Sequence, residues 1–136
     1  MLADYAEDLR CDKNRARAYS VARILLVDDN DLLRRTLAAN LAKSGYDVMT
    51  ASCAEGALSL LAEHPFDCLL SNFMMPGAIN GAALGRYVRD VWPHVRIVLM
   101  TGYSALQVAN SEFPLLRKPF SNGELLGTLS QLTVAA

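Results

Sequence analysis

The sequence has no long apolar run and no excess of charge of either sign. No apolar stretch approaches the roughly 20 residues that cross a bilayer, and residues 1–22 contain none long enough for a signal peptide. The 13 basic and 14 acidic residues almost cancel, so the basic footprint required for binding a phosphate backbone is missing. These absences predict a cytoplasmic protein that binds neither membranes nor nucleic acid.

Cysteine is also scarce. Cys11, Cys53 and Cys68 are odd in number and show no C-x-x-C spacing, so neither a disulfide framework nor a zinc site is indicated. They are interpreted as small apolar or surface thiols in a reducing compartment.

The composition is that of one globular domain. Hydrophobic residues make up 52% of the 136 residues and charged residues 20%, which suits a self-sufficient core and excludes a disordered chain. Residues 1–22 mix acids and bases with few large apolar groups, which predicts a frayed lead or a short helix. Residues 23–136 are predicted to form the domain.

From Arg23 onward, short apolar runs alternate with segments of helical period, which is typical of βαβ units and a parallel sheet. The predicted strands are residues 24–27, 46–51, 67–72, 95–101 and 114–117. The second alternates most between apolar and polar residues and so suits an edge. The predicted helices have inward stripes at Leu33, Leu37 and Leu41; Ala54, Ala57, Leu58 and Leu61; Leu84, Tyr87, Val88 and Val91; and Leu125, Leu129 and Leu132.

Polar residues follow or end four of these strands. They are Asp28, Asp29, Asn72, Thr101 and Lys118. Right-handed crossovers make the strands parallel, so their carboxyl ends share the rim where such folds bind ligands. We therefore predict that these five residues form one site.

The residue types at this rim suit phosphoryl chemistry. Two adjacent carboxylates and a third oxygen donor make an oxygen-only pocket of the kind that Mg²⁺ prefers. The Thr101 hydroxyl and the Lys118 ammonium are suited to contacting phosphoryl oxygens.

Plainer roles exist for each residue. Asp28 and Asp29 could cap the following helix, Thr101 could be an ordinary β-branched strand end, and Lys118 a solvated lysine. The acid pair is followed by Asn30 and Asp31, which is more than a cap requires. Together with the shared rim, this favours the metal role.

An enzyme of flavodoxin-like or dinucleotide-binding type is disfavoured. The sequence contains no G-x-G-x-x-G motif and no P-loop, and acids at the end of the first strand would repel a phosphate. His64 and His94 each lie beside a proline, and neither is assigned a catalytic role.

Four segments resemble the signature segments of response-regulator receiver domains of bacterial two-component signalling, in the family's order. They are RILLVDDN, FDCLLSNFMMPG, VRIVLMTGYS and LLRKPF. The resemblance covers about residues 23 to 133. It implies a flavodoxin-like, doubly wound (βα)5 fold of strand order 2-1-3-4-5 and a signalling domain rather than an enzyme. It also implies Mg²⁺-dependent transfer of phosphate from a histidine kinase to an aspartate.

The resemblance further implies a role for each rim residue. Asp28 and Asp29 match the metal-binding acids, and the backbone carbonyl of Met74 is the expected additional ligand beside position 72. Thr101 matches the switch hydroxyl. Lys118 matches the lysine that contacts the phosphate, and it precedes a proline that is often cis in this family.

Asn72 departs from the family because it occupies the phosphoacceptor position. A neutral amide has neither the charge nor the nucleophilic oxygen to form an acyl phosphate. This chain should therefore not be phosphorylated there, and its Mg²⁺ affinity should be weakened.

A second departure is the interval from Thr101 to Lys118, which is shorter than is usual in the family. The helix between the fourth and fifth strands should therefore be truncated or missing. Leu115 stands where many members have the switch aromatic, with Tyr103 and Phe113 nearby.

Two hypotheses follow. In the first, which the otherwise intact pocket favours, the chain is a phosphorelay receiver whose acceptor was blocked by an engineered substitution. In the second, it is a natural pseudo-receiver that binds proteins independently of phosphorylation. The implied partners are a histidine kinase or histidine phosphotransfer protein, a downstream output protein, and a second copy of the chain in a homodimer.

Overall fold

Five strands and four helices make up residues 21–102 and 112–133, the part of the chain that the computed structural model describes. The predicted lead at residues 1–22 lies almost wholly outside the described residues. The same holds for residues 103–111, where the shortened helix between the fourth and fifth strands was predicted.

The elements alternate as the apolar pattern predicts. In chain order they are β1 (Arg23–Val27), α1 (Asp31–Lys43), β2 (Asp47–Ala51), α2 (Ala54–Glu63), β3 (Cys68–Asn72), α3 (Gly81–Val91), β4 (Arg96–Thr101), β5 (Leu115–Arg117) and α4 (Asn122–Thr133). All five strands end at the predicted residue, and their first residues differ from the prediction by one.

The strands form one parallel sheet in the order β2-β1-β3-β4-β5. This confirms the predicted fold and places β2 at an edge. The chain order reverses between β1 and β3, and the crevice at such a point is the usual ligand-binding position of the fold.

Each face of the sheet carries its own apolar core because successive side chains on a strand point to opposite faces. On one face, Leu25, Leu69 and Leu99 pack with residues of α2 and α3. On the other face, strand residues such as Leu26 and Leu70 pack with residues of α1 and α4. Helices therefore cover both faces, as continuous apolar strands require.

The predicted inward stripe of α3 is wrong at two positions. Leu84 and Val88 are fully buried, but Tyr87 is 52% exposed and Val91 is 47% exposed. The buried stripe also includes Gly81 and Gly85. These glycines shift the centre of the stripe and leave Tyr87 and Val91 at its margin, because each residue advances the helix by about 100°.

Within the described residues, no helix is both long enough and apolar enough to cross a membrane.

Candidate functional site

The five rim residues predicted from the sequence lie at the carboxyl end of the sheet. Asp28 and Asp29 follow β1, Asn72 and Thr101 are the last residues of β3 and β4, and Lys118 follows β5. The parallel topology therefore gathers residues from four strands that are far apart in the sequence.

Lys118 connects three of these strand ends. Its Nζ lies 2.8 Å from Asn72 Oδ1 and 3.3 Å from Asp28 Oδ2. Its backbone N–H donates to the carbonyl of Thr101 at 2.7 Å, which ties the lysine to the end of β4. The Lys118–Pro119 peptide bond is cis, as the resemblance implies. The side chain is 23% exposed, so Lys118 is not simply a solvated surface lysine.

Both ends of the Asn72 amide are used. Its Oδ1 accepts from Lys118, whereas its Nδ2 donates to the Met74 carbonyl at 2.7 Å and makes a longer contact of 3.4 Å with Asp29 Oδ1. Asn72 is thus the central residue of the network, between the lysine on one side and two oxygen acceptors on the other.

Asp28 is the buried carboxylate of the site, with a side chain 1% exposed. One carboxylate oxygen accepts from the backbone N–H of Asn30 at 3.0 Å, and the other faces Lys118. A charge removed from water is tolerated only when it is paired and hydrogen-bonded. Asp28 meets both conditions.

The capping interpretation of Asp28 and Asp29 is wrong. The N-cap of α1 is Asn30, whose side-chain oxygen accepts from the N–H of Leu33 at 3.0 Å. The carbonyl of Asp28 instead accepts from the Arg34 guanidinium at 2.8 Å. The acid pair is therefore free of the capping role and turned toward the rim.

Thr101 is 1% exposed, so it lies beneath the rim rather than on its surface. Its register partner on β5 is Arg117, the residue before Lys118. The backbone of Thr101 therefore lies beside the backbone of Lys118 at this edge of the site.

Gly81 is a residue of the site region that the sequence analysis missed. A Cβ at this position would overlap the carbonyl oxygen of Asn72 and lie 2.9 Å from Phe73 Cα. Its N–H donates to the Phe73 carbonyl at 2.8 Å, and Asn80 caps α3 by accepting from the N–H of Ala83. The Asn-Gly pair marks a turn in the sequence and is the one local signal that could have drawn attention to this position.

The donor atoms at the rim do not suit a metal ion in the observed arrangement. Asp29 and the Met74 carbonyl, two of the oxygens predicted to bind Mg²⁺, face the amide N–H₂ group of Asn72. Across residues 21–102 and 112–133, no group of three or more His, Cys, Asp or Glu side chains is placed to hold a metal. Mg²⁺ requires oxygen ligands, so a binding set would need this amide to be displaced.

The cysteines of the described region lie outside the site. Burial, with a smaller contribution from the charge of Asp67, raises the pKa of Cys68 to about 12, so its thiol stays protonated. Cys53 is the N-cap of α2 and accepts from the N–H of Gly56 at 3.4 Å. Both fit the structural role predicted for them, whereas Cys11 is outside the described residues.

The chain is similar to known response regulators in sequence. The family model described as "Response regulator receiver domain" matches residues 24–130. The response regulator receiver protein CpdR of Brucella abortus is 33% identical over 119 residues, covering 84% of this chain and 98% of CpdR. The response regulator FleR of Pseudomonas aeruginosa is 33% identical over 115 residues, which cover 81% of this chain but only 24% of FleR.

Solved structures show the same fold. The chemotaxis response regulator CheY4 of Vibrio cholerae has a TM-score of 0.75 and 28% identity, covering 83% of this chain and 99% of that one. The response regulator TrrA of Thermotoga maritima, solved in complex with Mg²⁺ and BeF, has a TM-score of 0.75 and 30% identity, covering 82% and 99%. The sheet order, the rim residues and these matches lead to one conclusion: the chain belongs to the response regulator receiver domains of two-component signalling.

Proposed function

We propose that this chain is a receiver that docks its signalling partners in one state, without taking up phosphate at position 72. The observation that carries the proposal is the Asn72 side chain, whose oxygen is held by Lys118 and whose nitrogen is held by Met74 and Asp29. The acceptor position is thus filled by a neutral group that is fully engaged with its neighbours.

The chemistry of the amide supports this function. Receiver phosphorylation requires a carboxylate oxygen to attack phosphorus, and an amide oxygen lacks the charge for that step. The ammonium of Lys118 further engages the Asn72 oxygen at 2.8 Å. The chain is therefore expected to remain unphosphorylated at this position in the presence of any phosphodonor.

The other rim residues retain the types that the reaction would need. In a form with aspartate at position 72, Asp28, Asp29 and the Met74 carbonyl would bind Mg²⁺ together with the new carboxylate. Thr101 and Lys118 would contact the phosphoryl oxygens. With Asn72 the site keeps two carboxylates, so we expect weakened Mg²⁺ binding because affinity follows the charge and number of the ligands.

The proposed partners are a histidine kinase or histidine phosphotransfer protein and a downstream output protein. Two large apolar side chains support docking beside the pocket. Leu32, in the first turn of α1, is 77% exposed, and Met74, in the loop after β3, is 47% exposed. Large exposed apolar side chains such as these can anchor a partner whose polar groups meet the rim around them.

A second candidate is a phosphorelay receiver whose acceptor aspartate was replaced by Asn72. It is favoured by the contacts of Lys118 with Asp28 and Asn72, which bring a cation and an acid from two strand ends together beside the acceptor position. The two candidates differ in whether partner binding responds to phosphorylation once an aspartate is present.

Phosphate labelling separates the two candidates. The chain and its Asn72→Asp variant would be incubated with Mg²⁺ and a panel of radiolabelled histidine phosphotransfer domains. We expect no label on the chain, and label on Asn72→Asp is the prediction of the second candidate. An Asp28→Asn, Asn72→Asp double variant is the matched control, because it has an acceptor but one fewer carboxylate for the metal.

Partner affinity completes the test. The proposed function predicts that the chain and Asn72→Asp bind the same phosphotransfer domain equally, with or without beryllofluoride. Affinity that appears only in Asn72→Asp with beryllofluoride would contradict it and support the second candidate. Label on Asn72 itself would contradict both.

A further inference from the structure

We infer that Lys118 fixes the Asn72 amide with its nitrogen in the place of a divalent cation, so that the pocket excludes Mg²⁺ at millimolar concentrations. The inference goes beyond the proposed function and does not rest on it, because it concerns the isolated chain and needs no partner.

The first step is the number of acceptors on the side chain. A carboxylate has two oxygens and can face a lysine with one and a metal with the other, whereas an amide has a single oxygen. In this chain that oxygen is taken by Lys118 Nζ at 2.8 Å. No second Asn72 oxygen is left to bind a cation.

The second step concerns where the nitrogen must then point. With Oδ1 on the lysine, the N–H₂ group faces Met74 O at 2.7 Å and Asp29 Oδ1 at 3.4 Å. These two oxygens belong to the set that a metal would need. The amide therefore donates to them where a cation would otherwise attract them.

The opposite orientation of the amide is disfavoured on both sides. Turning it would place the N–H₂ group against the Lys118 ammonium, so that two donors would meet. It would also place Oδ1 against Asp29 and the Met74 carbonyl, so that three acceptors would meet without a proton among them. A cation could enter only by reversing both sets of contacts together.

The charge of the pocket acts in the same direction. The described charged groups include the two carboxylates of Asp28 and Asp29 and the ammonium of Lys118, which lies 3.3 Å from Asp28. The Arg34 guanidinium, which donates to the Asp28 carbonyl, adds a second positive charge nearby. An aspartate at position 72 would add a third negative charge. Its absence lowers the attraction for a divalent ion, and Lys118 already offsets the charge of Asp28.

The direct test is a Mg²⁺ titration of the ¹⁵N-labelled chain, followed on the side-chain amide signals of Asn72. We expect two separate proton signals that do not shift in a saturable way at millimolar Mg²⁺, whereas Asn72→Asp should bind the ion by calorimetry. A saturable shift of the Asn72 signals would overturn the exclusion of the metal. This test uses the unaltered chain, so it does not require any variant to fold.

A double-mutant cycle tests the part assigned to Lys118. Lys118→Met removes a positive charge and raises Mg²⁺ affinity in any background, but with Asn72 present it also frees the amide to turn. The increase in Mg²⁺ affinity caused by Lys118→Met should therefore be about tenfold larger with Asn72 than with Asn72→Asp. This is the size of effect expected for a residue that orients a metal ligand. An equal gain in the two backgrounds would overturn the inference.

Lys43→Met is the matched control. It removes the same charge from the exposed last turn of α1, away from the pocket. It should leave Mg²⁺ affinity unchanged in both backgrounds. A gain equal to that of Lys118→Met would show that net charge alone accounts for the effect and would contradict the inference.

Discussion

The side chain of Asn72 differs from that of an aspartate only in replacing one carboxylate oxygen with an N–H₂ group, and its neighbours are matched to that group. The amide nitrogen donates to the Met74 carbonyl and to Asp29, both of which are acceptors only. An oxygen at the same point would meet two acceptors with no proton between them.

Asn72→Asp should therefore destabilise the chain when no divalent ion is present. Asp29 and Met74 are both exposed, so water can replace the lost contacts, and the expected loss is about 0.5–1.5 kcal/mol, the net contribution of a typical hydrogen bond. We expect urea denaturation in a chelator to show this loss and millimolar Mg²⁺ to reverse much of it. The unaltered chain should unfold identically in both buffers.

Asn122→Asp is the control for this experiment. It adds the same charge at an exposed position at the start of α4. Its effect should stay within about 0.5 kcal/mol, because a surface position without a buried partner contributes little. An equal loss for both variants would mean that added charge, and not the contacts of Asn72, is responsible.

Gly81 gives a second prediction for a single residue. Gly81→Ala would force its Cβ against the carbonyl oxygen of Asn72 and to within 2.9 Å of Phe73 Cα, both of which are backbone atoms with little freedom to move. We expect a loss of about 1–3 kcal/mol in unfolding free energy, as for overpacking elsewhere.

Gly127→Ala is its counterpart, because nothing lies within 4 Å of the Cβ it would add to α4. This variant should gain about 0.5–1 kcal/mol from helix propensity alone. Chemical denaturation of the two variants side by side is the measurement. A gain at both positions would contradict the close approach of α3 to β3.

Among the elements, α3 is attached to the segment that enters β5. Glu112 pairs with Arg89 at 2.7 Å and with Arg86 at 3.4 Å, and the Arg89 guanidinium lies over the Phe113 ring. The same ring packs against the face of α3 at Gly85, where a Cβ would lie 2.9 Å from it. Polar and aromatic contacts together hold α3 against the segment before β5.

The ion pairs of Glu112 predict a pH dependence. A hydrogen bond from Arg89 is the largest cause that lowers the pKa of Glu112 from its ordinary value of 4.5. The charge of Arg89 and the hydrogen bond and charge of Arg86 lower it further, against an opposing effect of desolvation. Because the pKa is lower in the folded state, this contribution to stability is present above pH 4.5 and is lost as the pH falls through the lowered value.

Carboxyl titration by NMR checks this dependence. Arg89→Met should raise the pKa of Glu112 more than Arg86→Met does, because the bond from Arg89 is the larger cause. Glu112→Gln should remove this part of the acid dependence of unfolding. Equal shifts in the two arginine variants would contradict the assigned order of the contacts.

In the molecule as a whole, β3 supports both cores. Leu69 and Leu70 are fully buried but belong to the clusters on opposite faces of the sheet. Leu69→Ala and Leu70→Ala should each cost about 2–5 kcal/mol, the usual range for truncating a buried leucine. Because the side chains point apart, the double variant should lose about the sum of the two.

Far-ultraviolet circular dichroism and the fluorescence of Trp92, the single tryptophan, are the two probes for these variants. The transitions should coincide because one central strand joins the two layers. Separate transitions would mean that the faces unfold independently.

Much of this architecture follows from residue order. The carboxyl ends of all five strands are at the residues predicted, because each apolar run stops where polar or turn-forming residues begin. The convergence of Asp28, Asn72 and Lys118 follows in turn from parallel strands. The family resemblance supplied the strand order.

Other features depend on tertiary contacts or on the backbone path, which local sequence patterns do not reveal. The orientation of the Asn72 amide is set by Lys118, which is 46 positions away in the sequence. The exposure of Tyr87 depends on glycines that take the inner face of α3. The cap of α1 is Asn30 rather than either acid before it, since several residues in that stretch have capping side chains and only the backbone path selects one.

The two edges of the sheet bear on how the protein behaves at high concentration. β5 has three residues, which offer few backbone groups to a strand from another molecule. β2 has five, and its first residue, Asp47, is exposed and paired with Arg23 of β1 at 2.8 Å. Short or charged borders of this kind are poor templates for adding further strands, so the folded chain is protected against edge-to-edge aggregation.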